Sequence, residues 1–376
     1  MLPSRAVPEI PDFTPAPAPT LGRGAASNTP NRFETTRLEP IFLDDADHPD
    51  DPIEGAPTSA PRKIKTIFYR DHSRTVLSEN KSPDVGFQYS VNPYRGCEHG
   101  CIYCYARPTH EYLGFSAGID FETRIMVKED APALLRERLL HKSWQPQQIT
   151  LSGVTDCYQP IERRMQITRR CLEVLSEFGN PFSIITKNHL VTRDVDIIGP
   201  MASQNAAAVF ISITSLDPSL TEILEPRTSR PRFRLKAVET LAKAGVPVGV
   251  MIAPLIPGLN DHEVPAILAA AAQAGARFAG YTIVRLPLSV LPLFTEWLEL
   301  HRPESKDRIL SRLRSMRDGK LNESEFGKRM RGEGVMAEQL RALFNVHVRR
   351  NELNRIDLDL STAGFQRPGE QLGLFR

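Results

Sequence analysis

Three of the five cysteines in this 376-residue chain, Cys97, Cys101 and Cys104, fall within eight residues of one another in "NPYRGCEHGCIYCYARPTHEYLG". In a reducing compartment an odd count of crowded thiols points to metal or redox chemistry rather than to a disulfide framework. The segment is punctuated by Pro93, Gly96 and Gly100, so it belongs to a loop that curls around something. Three thiolates on a short loop can take three corners of a cubane [4Fe–4S] cluster and leave one iron without a protein ligand. Zinc is the alternative, because a structural zinc site closes its sphere with a fourth ligand and His99 and His110 are at hand. Three merely structural thiols are poorly served by Glu98, His99 and Gly100, which make a weak core segment.

From about residue 85 short β-rich runs alternate with amphipathic helices. The runs are "FQYSVNPY", "QQITLSGVTD", "PFSIITKN", "AAVFISITS", "VPVGVMIAPLIPG" and "FAGYTIVRLP", and the helical segments between them end in glycine at Gly179, Gly245 and Gly275. Six such units predict an α/β fold, a parallel sheet in a partial (β/α)6 TIM-like barrel over residues 63–290, with working groups at the C-terminal ends of the strands. Residues 1–62 hold twelve of the 31 prolines and no hydrophobic periodicity, and are expected to form a disordered, Pro-rich arm. Within that arm "GRGAASNTPNRFE" is less repetitive and is a candidate for docking on the folded body, though no physical argument requires it. Residues 291–360 read as a helical extension and 361–376 as a flexible tail.

The cysteine motif, with Tyr103 before its last cysteine, resembles that of the radical S-adenosylmethionine (radical SAM) superfamily. Its wider context, with "GIDFETRI" and "SGVTDCYQPIE", is similar to stand-alone proteins related to spore photoproduct lyase, described as DNA-repair-photolyase-like. The resemblance implies that S-adenosylmethionine chelates the open iron of a [4Fe–4S] cluster, that an electron from a donor such as flavodoxin or ferredoxin cleaves it, and that the 5′-deoxyadenosyl radical abstracts hydrogen from a substrate. It implies metal ligation by Cys97, Cys101 and Cys104. It also implies cofactor contacts from "LSGVTD" (Ser152, Gly153, Thr155, Asp156), Lys187, Ser212, Thr214, Arg227, Pro254 and the ring of Tyr103. Spore photoproduct lyases use a cysteine near the second strand's end as hydrogen donor. Here Gly153 stands at that place, leaving Cys157, with Tyr158 as a relay, as the catalytic candidates.

With only Cys157 and Cys171 left over, no second cluster can be built from cysteine. Cys171 occupies an apolar helical position and reads as a buried core thiol. Residues 302–355 carry fourteen basic and eight acidic side chains against five and ten in residues 1–62, so the C-terminal half is the face suited to a polyanion. The ending Gln371-Leu372-Gly373-Leu374-Phe375 resembles the short peptide by which bacterial repair proteins dock on the DNA sliding clamp. No window is apolar enough to span a bilayer, and prolines and acids stand where a secretory signal would be apolar, which points to the cytoplasm and to no membrane partner. The leading expectation is a radical SAM enzyme acting on nucleic acid, in DNA repair or modification of a lyase-like kind. A radical SAM enzyme acting on a metabolite or peptide, and a zinc-bearing nucleic-acid or clamp-binding protein without catalysis, stay open.

Overall fold

A computed structural model describes residues 20–33 and 64–368. All six β-rich runs contain strands: β1 (Tyr89–Val91), β2 (Ile149–Leu151), β3 (Phe182–Thr186), β4 (Ala207–Ser212), β5 (Val248–Leu255) and β6 (Phe278–Ile283). They pair in parallel in chain order, and Leu77–Glu79 adds an antiparallel edge strand beside β1. The sheet is open, since its two outermost strands do not pair with each other. Every residue of β2 and most of β3, β4 and β5 are buried, as expected of parallel strands covered on both faces.

The crossovers contain α1 (Ala131–Leu140), α2 (Ile167–Glu177), α3 (Val195–Ser203), α4 (Pro231–Lys243) and α5 (Val264–Gln273). On α2 the residues turned inward are Ile167, Cys171, Leu172 and Leu175, a helical spacing that puts Cys171 in the core. Three more helices follow β6: α6 (Val290–His301), α7 (Lys306–Ser315) and α8 (Gly334–Arg350). Among the described residues no helix is long and apolar enough to cross a membrane.

Residues 20–33 lie inside the stretch read as a disordered arm, yet they are docked on the body. Ala25 is buried in the main core beside Cys101, Ile102 and Tyr103, and Arg23 donates to the carbonyls of Glu122 and Ile64. The stretch "GRGAASNTPNRFE" is the candidate for docking within the arm, but composition offers no argument for it, because the attachment runs through backbone amides and one arginine rather than through an apolar stripe. Residues 361–368, read as the start of a flexible tail, also lie on the body. Ser361 N–H donates to Asn205 O, and Gln366 N–H to Phe178 O. The clamp-like peptide Gln371–Phe375 lies outside the described residues. A second sheet, formed by Ile67–Arg70, Tyr94–Arg95 and Arg124–Val127, had no counterpart in the sequence reading. Its first strand is largely exposed and lacks an alternating pattern.

Candidate active site

The loop after β1 carries the cysteine motif across the C-terminal end of the sheet. It is held from outside by a buried ion pair. Arg107 Nε donates to Cys101 O (3.0 Å), its Nη1 to Ala117 O and Gly118 O (3.1 and 3.0 Å), and its Nη2 to Glu122 Oε1 (2.5 Å). The Glu122 carboxylate also accepts from the backbone N–H groups of Gly24 and Ala25 (3.1 and 2.9 Å). Gly100 sits at φ +67°, and a Cβ there would meet Glu122 Oε2 at 2.8 Å. One carboxylate thus gathers the N-terminal segment, the cysteine loop and the Arg107 guanidinium.

Cys97, Cys101 and Cys104 all face one cavity of about 280 Å³, and none is in a disulfide. Burial raises the pKa of each thiol. Asp156 pushes Cys97 the same way, and Cys101, with Glu225 near it, is carried up to about 12. Cys97 and Cys101 are buried and Cys104 half-buried, and a neighbouring cationic group would favour their thiolates. Three thiols on one cavity are the donor type an iron–sulfur cluster takes, while among the described residues no group of three or more His, Cys, Asp or Glu is placed to hold a single metal ion. Of the two alternative zinc ligands His99 lines the cavity, and both its ring nitrogens face partners. His99 has Nδ1 3.3 Å from Asp156 Oδ2 and Nε2 3.2 Å from Asn188 Nδ2. His110 is buried between the rings of Phe115 and Phe121 and does not line the cavity.

The β2 turn supplies Ser152, Gly153, Thr155 and Asp156 to the cavity wall, and Tyr103, Lys187, Ser212 and Pro254 line it too. Ser152 holds φ +95°, a conformation costly for a residue with a Cβ, and its Oγ accepts from Cys157 N–H. Asp156 is held at about 2. Burial opposes ionisation but is outweighed by His99 and by the N–H groups of Lys187 and Tyr158. Its oxygens also accept from Thr186 Oγ1, so its acceptor capacity is spent tying three segments together. Lys187 Nζ reaches the Ala253 carbonyl (3.2 Å) and stands 5.8 Å from the Tyr103 ring centroid. Among the described residues it has no carboxylate within ion-pair distance.

Four sequence candidates do not face the cavity. Cys157 and Tyr158, the expected hydrogen donor and relay, are fully buried and do not line the cavity, the Tyr158 hydroxyl donating to Asp194 Oδ2 (3.0 Å). The reason is the turn itself, since Asp156 faces the cavity and the two residues after it dive into the core. Thr214 lies behind the wall and donates to Glu225 Oε1 (2.5 Å), and Arg227 pairs with Glu98 Oε1 (3.1 Å). The partner that "EPRTSR" does supply is Glu225, two residues earlier and missed in the sequence. It is buried, ion-paired with Arg234, and accepts the Tyr103 hydroxyl.

The radical SAM superfamily model matches residues 91–271. An uncharacterised protein of Mycobacterium tuberculosis is 38% identical over 264 residues, covering 68% of this chain and 75% of its own. The chain belongs to the radical SAM superfamily. Members of this superfamily are enzymes that use an iron–sulfur cluster and S-adenosylmethionine. An uncharacterised protein of Methanocaldococcus jannaschii is 29% identical over 247 residues, covering 66% of this chain and 87% of its own. Among solved structures, a cysteine-to-serine mutant of spore photoproduct lyase superposes with TM-score 0.54 at 17% identity, over 75% of this radical SAM chain and 79% of the lyase. A second mutant of that lyase, with bound AdoMet and dinucleoside spore photoproduct, gives TM-score 0.50 at 17% identity over 72% and 76%. The two share a fold with this radical SAM enzyme.

Proposed function

We propose that this radical SAM enzyme holds a [4Fe–4S] cluster on Cys97, Cys101 and Cys104, binds S-adenosylmethionine beside it, and acts on nucleic acid in a lyase-like repair or modification reaction. The observation that carries the reading is the convergence of three unbridged thiols and the Lys187 ammonium on one cavity at the C-terminal ends of parallel strands. When bound, cluster and cofactor supply a 5′-deoxyadenosyl radical by one-electron reduction, with an electron from a donor such as flavodoxin or ferredoxin. The chain's own groups bind and orient. Lys187 is the cation for the cofactor's carboxylate. Ser152, Gly153, Thr155 and Ser212 border its polar part, and Asp156 fixes Lys187 and His99 rather than contacting it directly. The Tyr103 ring, tethered by Glu225, and Pro254 form the walls for its adenosyl half.

Two features favour a nucleic-acid substrate. The superposed lyase mutant is described with a dinucleoside photoproduct. In addition, Arg302, Arg308 and Arg312 line a second cleft of about 570 Å³ beside Gly258, just past the C-terminal end of β5, where they outnumber the acids Glu304 and Asp261, the latter paired with Arg312. Cys157 and Tyr158 carry no role in this reading. Docking of Gln371–Phe375 on the sliding clamp, and a cytoplasmic setting, are part of the same proposal.

Anaerobic purification tests the chemistry. A brown protein containing iron and sulfide that forms 5′-deoxyadenosine after dithionite reduction supports the reading, and a colourless zinc protein refutes it. Turnover offered separately on damaged and undamaged DNA then tests the substrate.

A further inference from the structure

Arg285, two residues beyond β6, lines the same cavity and has no role in the account above. Its Nε is buried without a hydrogen-bond partner. The acid that acts on it, Asp84, is already taken by Arg329 Nε and by the Gly327 N–H. Burial and the neighbouring Arg329 charge both work against the Arg285 cation. Among the described residues no carboxylate forms an ion pair with Arg285 itself, and a part-buried guanidinium in that position is costly unless an anion completes it. Beside it stands an aromatic face, with the guanidinium carbon 5.6 Å from the Tyr105 ring centroid. Tyr105 is 48% exposed, yet its hydroxyl donates to Gly153 O, which clamps the ring in place. Phe87 supplies an apolar wall of the same cavity.

We infer that Arg285 and Tyr105 form a substrate subsite for one nucleotide unit, Arg285 binding a phosphodiester oxygen and Tyr105 the face of a base. The inference rests on the nucleic-acid reading above and deepens it. A fixed guanidinium suits a phosphodiester because its planar N–H fork matches two oxygens of one anion. An aromatic ring suits any base, since each has a π-face, so the subsite recognises a strand rather than a sequence. The cofactor's carboxylate is the competing anion, and Lys187 already answers it.

The test uses the reconstituted full-length enzyme, held anaerobic with S-adenosylmethionine present. Calorimetry compares binding of thymidylyl-thymidine with that of its uncharged methylphosphonate analogue. The wild-type enzyme should prefer the charged dinucleotide by about tenfold, the size expected for one charge-assisted hydrogen-bonded contact. Arg285→Gln should bring that ratio close to unity, Arg285→Lys should retain part of it, and Arg349→Gln, on α8, should keep it whole. Tyr105→Leu should weaken both dinucleotides alike. Taking the ratio within each variant cancels any loss of folded protein. No preference in the wild type, a preference that survives Arg285→Gln, or a loss of S-adenosylmethionine affinity in that variant overturns the subsite. Failure of the wild type to form 5′-deoxyadenosine would instead remove the radical chemistry, and the binding ratio would still be read.

Discussion

Gly24 and Gly100 touch backbone to backbone: a methyl group added to Gly24 would lie 1.8 Å from the Gly100 carbonyl oxygen. The N-terminal segment is therefore seated directly on the cysteine loop, and no side chain fits between them. Gly24→Ala should force the two apart. Overpacking of this kind costs roughly 1–3 kcal/mol, which for a protein of this size lowers Tm by a few degrees. The cluster absorbance should also bleach faster in air. Unchanged melting and bleaching would show that segment and loop do not depend on each other.

Alanine at Cys97, Cys101 or Cys104 should each abolish iron retention and 5′-deoxyadenosine formation. Cys157→Ala should not. Its thiol is buried under the cavity, so the change removes a small core group at a cost of about 1 kcal/mol and leaves the rate of 5′-deoxyadenosine formation within about twofold. A tenfold loss with the cluster intact would restore Cys157 to the chemistry.

Asp84 anchors the segment that carries Met330 to the cavity, through Arg329 and the Gly327 N–H. Burial raises its pKa, but those two partners outweigh it and leave the group below its ordinary 3.8. A depressed carboxylate contributes stability that is present above its unfolded pKa and is lost as pH falls through the folded one. Hydrogen exchange of residues 323–333 should therefore be faster in Asp84→Asn than in wild type at neutral pH. The difference should shrink as the solution is acidified below the ordinary carboxylate range. A difference that persists unchanged in acid would mean that the charge is not what holds the segment.

Arg308 borders the second cleft, and among the described residues its Nη2 has the Gly258 carbonyl and the Ser305 hydroxyl as partners and no carboxylate. If that cleft takes the phosphate backbone, Arg308→Gln should weaken DNA binding alike for all sequences. It should also reduce the slope of log K against log salt by roughly 0.7–0.9, the value of one phosphate contact. An unaltered slope would remove Arg308 from the interface.

The parallel strands were legible because each is a short, nearly continuous apolar run, and the cysteine loop because its spacing is confined to eight residues. Lys187, Ser212 and Pro254 were implied by the family resemblance, and all three line the cavity. What sequence could not show depends on direction within a turn or on distant partners. Asp156 faces the cavity while Cys157 turns into the core, and a lone sequence gives no sign of that reversal. Arg227 looked like the useful group in "EPRTSR", yet it is spent on Glu98 while Glu225 supports Tyr103. Arg285 ends a strand run in "TIVRLP" and had a readable signal, a cation straight after a buried strand, that was passed over. The docking of residues 20–33 is carried by main-chain amides, which composition does not register.

Glu122 binds residues that are close to a hundred positions apart, and Arg107 links it to the Cys101 carbonyl. The outer wall of the cysteine loop is thus a non-local assembly, slow to close by the usual dependence of folding on sequence separation. A nascent chain cannot finish that wall until its beginning has been brought back onto residue 122. The cysteine loop therefore gains its outer support only when residues 24–25, Arg107 and Glu122 have come together.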